Sequence, residues 1–401
     1  MAQHYSVRDF FRQMPNALLA RYFKAKGLFS ELDFAAMKEG KPDTLFAAWL
    51  ELPDVQRNAM DAEFREIFAM SCEKGFRAVL DEAEFQLTTE ESRAFVEKLS
   101  ALPGHFERAM ITFLDFNTCW KGANRFHHAD TLPYWRKRKH LPHKPAAVDE
   151  DSILDLASRI RQYFHLTEGR GNNCVVEPLR RGELEYFFAY PEDYSQQSIE
   201  WENGVFTPRP HNPAFEVIFV YSQKEGSLDL NFRGSYKALE PLQSMFATAI
   251  LKLDELPPDP KDPRIYDLNP MLQKSFDFTY AHGSGIENVR VKKLRLSSRV
   301  KKGDRITLEA DASQSPDAVY AMLDQIGKSL PLNLYNITQV ELTVSMAPEP
   351  GKPARQVPVR ITHPNSCSLK YDELDLKLRE MLEASGIEPK EPQEPLEPDA
   401  A

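Results

Sequence analysis

The sequence predicts an α+β protein, with an all-helical N-terminal half followed by a mainly antiparallel sheet region and its packed helices. Apolar residues recur at helical spacing up to about residue 129, and they alternate at strand spacing from residue 174 onward. Hairpin-type connections between the later segments favour antiparallel pairing over a doubly wound parallel sheet. At 401 residues, the chain exceeds the roughly 250 to 300 at which one hydrophobic core stops growing, so we expect two domains.

The N-terminal half is predicted to form a helical domain over residues 1–130. Ser6 is suited to cap a first helix, and Pro15 either kinks that helix or starts a second one at Asn16. Proline and glycine punctuate the region that follows. The further helices predicted there cover residues 42–50, 55–73, 89–101 and 104–120.

Residues 131–150 are predicted to form an exposed, basic, proline-containing connection. Pro133, Pro142 and Pro145 oppose regular structure, and a run of charged residues lies among them. The helical period ends before this stretch, and a different period begins after it.

Residues 151–387 are predicted to form an α+β domain. Two sheet–helix subdomains that divide near residues 256–265 are an alternative, although no repeat in the sequence supports them. An Asn203–Gly204 turn predicts one of the hairpins. The predicted helices cover residues 152–164, 237–251, 316–328 and 372–385. The predicted strands cover residues 174–179, 184–190, 198–202, 205–208, 215–221, 227–233, 275–280, 289–297, 305–310, 339–346 and 357–362.

The composition narrows the class of protein. The last residues, 388–401, have few apolar side chains to bury and are predicted to be a disordered acidic tail.

No run of about 18 apolar residues occurs and no signal peptide is recognisable, so we expect a cytoplasmic protein without membrane contact. Four widely separated cysteines indicate reduced thiols rather than structural zinc, and no motif indicates a metal or a cofactor. The formal net charge of -10 argues against indiscriminate coating of nucleic acid, but it can hide local basic patches.

The segment 119–144 is the densest in chemically capable side chains. Seven lysines and arginines lie there against one acid, together with two tryptophans and four of the ten histidines. Cations interleaved with indoles can grip phosphates and stack on bases, whereas a solvated connection that pairs with acids elsewhere would have the same composition. Metal binding is disfavoured because adjacent histidines diverge on a helix. The nucleic-acid contacts predicted in and beside this segment are Arg125, Trp135, Arg136, Lys137, Arg138, Lys139 and Lys144.

A second basic stretch coincides with a predicted strand. The parity of its apolar residues changes between Val291 and Leu294, which predicts a β-bulge near Lys292–Lys293. With that bulge, the apolar side chains share the core face and the cations line the other face, where they could follow a phosphate backbone. Lysine-rich exposed sheet edges have the same pattern without any ligand. The predicted contacts are Arg290, Lys292, Lys293, Arg295, Arg299, Lys301 and Lys302.

Three functional hypotheses follow from these features. The first is a non-catalytic binding component of a larger assembly that engages nucleic acid, DNA or RNA, through the two basic stretches and also binds a partner protein. The second is a hydrolase-type enzyme with a site near His127, His128 and Asp130, which requires those side chains to converge with acids or a cysteine. The third is a protein–protein scaffold in which the basic stretch meets an acidic partner.

Overall fold

The computed structural model describes residues 5–133, 135–202, 204–258, 265–311, 315, 317–348 and 355–388. The chain divides into two compact units, one of residues 1–131 with 180–182 and one of residues 132–179 with 183–401. The first unit is built from helices, and the second combines a sheet with helices. The predicted α+β class is therefore confirmed.

The helical unit contains helices at the predicted places, but the predicted helix over residues 104–120 is interrupted at Phe116, and a separate helix continues from Asn117 to Thr131. The unit also contains a helix over residues 73–86 that the sequence did not predict. The helices are α1 (Val7–Gln13), α2 (Asn16–Ala25), α3 (Asp43–Leu50), α4 (Asp54–Met70), α5 (Glu73–Gln86), α6 (Thr89–Ser100), α7 (His105–Asp115) and α8 (Asn117–Thr131).

Local sequence explains how the first two helices begin. The Oγ of Ser6 accepts a hydrogen bond from the Asp9 N–H at 3.1 Å, which caps α1. Pro15 separates α1 from α2, so it starts a second helix rather than kinking one. Both helices bury aromatic side chains, and the rings of Phe10 and Phe64 stack with their centroids 4.6 Å apart.

A capping box begins α6 and gives a stability prediction. The Oγ1 of Thr88 accepts from the Glu91 N–H at 3.4 Å, and the Glu91 carboxylate accepts from the Thr88 N–H at 3.0 Å. Replacing Thr88 with alanine should lower the free energy of unfolding by about 1 kcal/mol in urea denaturation. Thr89→Ala, one residue further on, removes a hydroxyl that caps nothing and should leave stability within about 0.5 kcal/mol. Equal effects of the two substitutions would show that the cap does not contribute.

The second unit contains the sheet, apart from Arg180 and Arg181 at the end of one strand, which belong to the first unit. Its helices are α9 (Glu150–Glu168), α10 (Leu239–Ala249), α11 (Ala318–Gly327) and α12 (Glu373–Ala384). Its strands are β1 (Trp135–Arg138), β2 (Cys174–Arg181), β3 (Leu184–Pro191), β4 (Gln196–Glu202), β5 (Val205–His211), β6 (Val217–Ser222), β7 (Ser227–Phe232), β8 (Ile286–Ser298), β9 (Arg305–Glu309), β10 (Tyr335–Met346), β11 (Arg355–Thr362) and β12 (Ser366–Cys367). No helix within the described ranges has the length and hydropathy that crossing a bilayer requires.

Ten of these strands form one sheet in the order β2-β3-β6-β7-β1-β12-β11-β10-β8-β9. Antiparallel pairing connects every neighbour from β3 to β9, and β4 and β5 form a separate antiparallel ribbon. The short strand β1 lies inside the sheet, because Arg136 is opposite Leu230 of β7 on one side and Ser366 of β12 on the other.

Two hydrophobic cores lie against this sheet. One packs α9 and α10 on β3, β6 and β7, and the other packs α11 and α12 on β8, β10 and β11. The predicted division of this unit near residues 256–265 stays a prediction, and residues 259–264 lie outside the described residues.

The predicted bulge in β8 is confirmed. Lys293 is opposite Glu341 and Val291 is opposite Leu342, so Lys292 is an extra residue on this strand. As a result, Val291 and Leu294 both face the core, although two residues separate them.

Two sequence predictions for this unit need correction. Residues 275–280 are not a strand: their alternation arises because Phe276, Phe278 and Tyr280 pack against the core without pairing to a described strand. Glu388, assigned to the tail, is only 1% exposed. The rest of that predicted tail, residues 389–401, and Asn203 of the predicted turn lie outside the described residues.

Candidate nucleic-acid interface

The first basic stretch is largely buried. Trp135 on β1 is 4% exposed, and its Nε1–H donates to the Leu132 carbonyl oxygen at 3.1 Å, so the indole has no free face for a base. The prediction that residues 131–150 form an exposed connection is wrong at β1. The prolines of this stretch lie outside β1, which is paired on both sides, and the Pro133 carbonyl oxygen accepts a hydrogen bond from Asn231 at 2.7 Å.

The lysines of this stretch are held by acids of the same unit. The Lys137 Nζ lies 2.7 Å from a Glu225 carboxylate oxygen and 3.2 Å from a Glu388 carboxylate oxygen. The Lys139 Nζ lies 3.2 Å from the same Glu388 oxygen. Because the side chains of Lys137 and Lys139 are 2% and 10% exposed, a nucleic-acid phosphate cannot reach them in this structure.

The sequence did not predict this ion cluster, which also includes Arg379 on α12. Burial raises the pKa of the Glu225 carboxyl, but Lys137 and a hydrogen bond from Ser227 outweigh burial and lower the pKa to about 2. Burial likewise opposes the charge on Glu388, and the three cations around it lower its pKa nonetheless. The only sequence signal was a run of charges inside a segment bounded by apolar residues, which does not identify distant partners.

The other residues predicted in the first stretch are scattered. Arg138 is 8% exposed and donates to the Pro257 carbonyl oxygen. The Arg136 guanidinium lies over the Tyr236 ring, 5.3 Å from its centroid. Arg125 is half-buried on α8 of the helical unit, and Lys144 is exposed in the second unit. Because Lys137, Arg138 and Lys139 are at most 10% exposed, this stretch does not present a continuous basic surface.

His127 contacts a cysteine inside the helical unit. Its Nε2 lies 3.5 Å from the Sγ of Cys72, the residue that caps α5. Burial, reinforced by the cations Lys74 and Arg181, lowers the pKa of His127 to about 4. Efficient general bases have a pKa near the operating pH, so this imidazole is poorly matched to accepting a thiol proton near neutral pH.

Asp130 is engaged by an arginine of the same unit. Both of its carboxylate oxygens accept from Nη1 of Arg181, at 3.0 and 2.9 Å, and Nη2 of Arg181 lies 2.7 Å from Asp81. Asp130 and Arg181 are both less than a tenth exposed, so they form a buried ion pair. The hydrolase hypothesis at His127, His128 and Asp130 gains a cysteine beside His127, and it stays a prediction.

The second basic stretch lies on an open sheet face. The face belongs to β9, β8, β10 and β11, whose opposite side covers the core under α11 and α12. Residues on this face are exposed or half-buried, apart from Glu341 at 9% exposed. We call it the basic face, defined by the cations Arg290, Lys292, Lys293, Arg295, Arg305 and Arg360 and the acids Glu309 and Glu341.

The two acids of the basic face pair with three of its cations. Lys293 lies 2.8 Å from Glu309, while Glu341 lies 3.4 Å from Lys292 and 3.2 Å from Arg360.

Two further cations of the basic face, Arg295 and Arg305, repel each other. Arg295 donates to the Thr338 hydroxyl at 3.3 Å. Burial, with a contribution from the neighbouring cation Arg305, lowers the pKa of Arg295. Positive charge therefore exceeds negative charge at this end of the face.

The loop between β8 and β9 adds exposed cations beside the basic face. Arg299 donates to the Asn333 carbonyl oxygen at 3.5 Å, and Lys301 lies 3.4 Å from Asp304. Lys302 is also exposed. All seven predicted cations of the second stretch thus lie on one face or in its adjoining loop.

Comparison with known proteins does not assign a function to these surfaces. No model of a known protein family matches the chain, and no curated protein matches it. Within the described ranges, no three His, Cys, Asp or Glu side chains are arranged to hold a metal ion.

Proposed function

We propose that this chain is a non-catalytic nucleic-acid-binding protein that contacts phosphates through the basic face. The observation that carries the proposal is the set of six cations, accompanied by two acids, on one open face of a rigid sheet. Phosphate contacts from lysine and arginine supply most of the affinity of such proteins, and they need no overall positive charge on the chain.

Protection of an exposed sheet edge explains these cations less well. Lys293 and Arg295 lie where β8 is paired with β9 on one side and with β10 on the other. An interior strand has no open backbone edge to protect, so edge protection gives no reason for cations at these positions. Because they are alternate residues of one strand, they lie about 7 Å apart on the same face. Their charges therefore form a regular row.

The proposal is tested by removing two neighbouring cations at one end of the face, Arg295 and Arg305, with the double substitution R295Q and R305Q. Affinity for a short labelled oligonucleotide should fall about tenfold, and the slope of log affinity against log salt should become shallower by about 1.5. The measurement is fluorescence anisotropy over a salt series, with DNA and RNA strands in parallel.

A matched double variant, K24Q and K328Q, removes the same charge from an exposed residue of α2 and from the exposed residue that follows α11, neither of which belongs to the basic face. It should leave both affinity and salt slope nearly unchanged. Absence of binding by the native protein at low ionic strength, or equal losses in the two double variants, would rule the proposal out. The predicted partner protein is a separate expectation, which purification of the native complex would test.

A further inference from the structure

A cleft with aromatic walls lies beside the first half of β8. Its volume is about 390 Å³, within the range of small-ligand sites. One wall is formed by residues 288–291 of β8, which precede the residues of this strand that pair with β9. The aromatic side chains that line it are Phe276, Phe278, Tyr280 and Tyr320.

The aromatic side chains are held in place. Phe276, Phe278 and Tyr280 alternate with exposed residues, and each is partly buried against the core. The rings of Phe276 and Phe278 meet edge to face with centroids 5.1 Å apart. The Tyr280 hydroxyl donates to the Glu287 carbonyl oxygen at 3.2 Å. Rings fixed in this way lose little conformational entropy when a planar group stacks on them.

The charges around the cleft decide what kind of group fits. Lys274 and Asp317 form an ion pair at 3.1 Å, and the other charged lining residues are Asp277 and Arg290. Two acids balance two cations, so the cleft gives no net attraction to a phosphate. It suits an uncharged planar group whose edge can exchange hydrogen bonds with charged and polar side chains.

The position of Arg290 joins the cleft to the basic face. Arg290 lines the cleft and also lies on the basic face, opposite Thr343 of β10. Lys292 and Lys293 follow directly along the same strand. A chain that runs along these cations would bring its next planar group to the cleft.

We infer that this cleft receives an unpaired nucleobase of a single strand whose phosphates follow β8. The inference rests on the proposed function, and it adds that the protein distinguishes single strands from duplexes. Stacking on aromatic side chains strengthens the binding of each unpaired base, and bases stacked inside a duplex cannot enter the cleft without being flipped out.

The test compares three probes of equal length: a single strand, the same backbone without bases, and the duplex. The native protein should bind the single strand at least about fivefold more tightly than the abasic strand or the duplex. Phe278→Leu keeps apolar contact with the core but removes the ring, so it should weaken single-strand binding about fivefold and leave abasic binding unchanged. Phe278→Trp should restore the native preference.

Phe85→Leu is the matched control, because Phe85 is a 52% exposed aromatic residue on α5 of the helical unit. It should not change the affinity for any probe. DNA and RNA versions of the single strand show which sugar is favoured, and tighter binding of either one than of its abasic backbone supports the cleft.

Two results would overturn the inference and can be told apart. Equal affinity for the base-containing and abasic strands, with no effect of Phe278→Leu, would remove the cleft from the interface but leave phosphate binding at the basic face intact. No binding of any probe at low ionic strength would overturn both the cleft and the proposed function. Unchanged thermal midpoints of the variants establish that each result reports binding rather than folding.

Discussion

Replacing Glu388 with glutamine should lower the free energy of unfolding by about 3 to 5 kcal/mol. The carboxylate is 1% exposed and lies beside three cations, Lys137 and Lys139 at 3.2 Å and Arg379 at 3.9 Å. Glutamine has nearly the same shape, so the packing survives while three cations lose a shared counter-charge in a region of low dielectric. Urea denaturation of the full chain measures the change.

Glu255→Gln provides the matched control, since Glu255 is an exposed acid of the same unit. It should change stability by less than about 0.5 kcal/mol. A loss for Glu388→Gln no larger than that of the control would contradict the assigned role of the ion cluster.

Acid titration of the native chain tests the same cluster if Glu388→Gln does not fold. Folding lowers the pKa of Glu225 from 4.5 to about 2, and it also lowers that of Glu388. Groups with a lowered pKa stabilise the fold fully above their unfolded pKa and lose this contribution as the pH falls through their folded pKa. The native protein should therefore lose stability between about pH 4.5 and pH 2.

Periodicity predicts much of this fold because helices and antiparallel strands bury one face each. The spacing of apolar residues located α3, α4 and α6, and the change of parity in β8 located its bulge. Helix α5 escaped prediction because its start lacks a conventional signal. Cys72 caps it in place of serine or aspartate, and a side chain at Gly75 would collide with the Met70 carbonyl.

The first basic stretch shows why a site is harder to predict than an element. From sequence alone, a row of cations is interpreted as a solvated surface, unless the acids that pair with it are known. The partners of Lys137 are Glu225 and Glu388, which lie 88 and 251 residues further along the chain. Local sequence carries no information about contacts at such separation. The second stretch was predictable because its own apolar residues fix which face its cations occupy.

The native protein should become less stable as the pH falls from 7.5 to 5, because His127 is buried. The pKa of His127 is about 4 in the folded chain, against an ordinary value of 6.5 for a solvated histidine, mainly because of burial. Between these values the unfolded chain binds a proton that the folded chain does not, so acidification favours unfolding. This group should contribute a loss of about 2 kcal/mol at pH 5, measured by denaturation at both pH values.

His127→Gln should remove that part of the pH dependence, because glutamine does not titrate in this range. Cys72→Ser separates burial from the sulfur contact: it changes the partner 3.5 Å from Nε2 but leaves the imidazole buried. The pH dependence should persist in Cys72→Ser, since burial and nearby cations, not the thiol, lower the pKa. If Cys72→Ser abolished the dependence and His127→Gln retained it, the titrating group in this window would not be the buried imidazole.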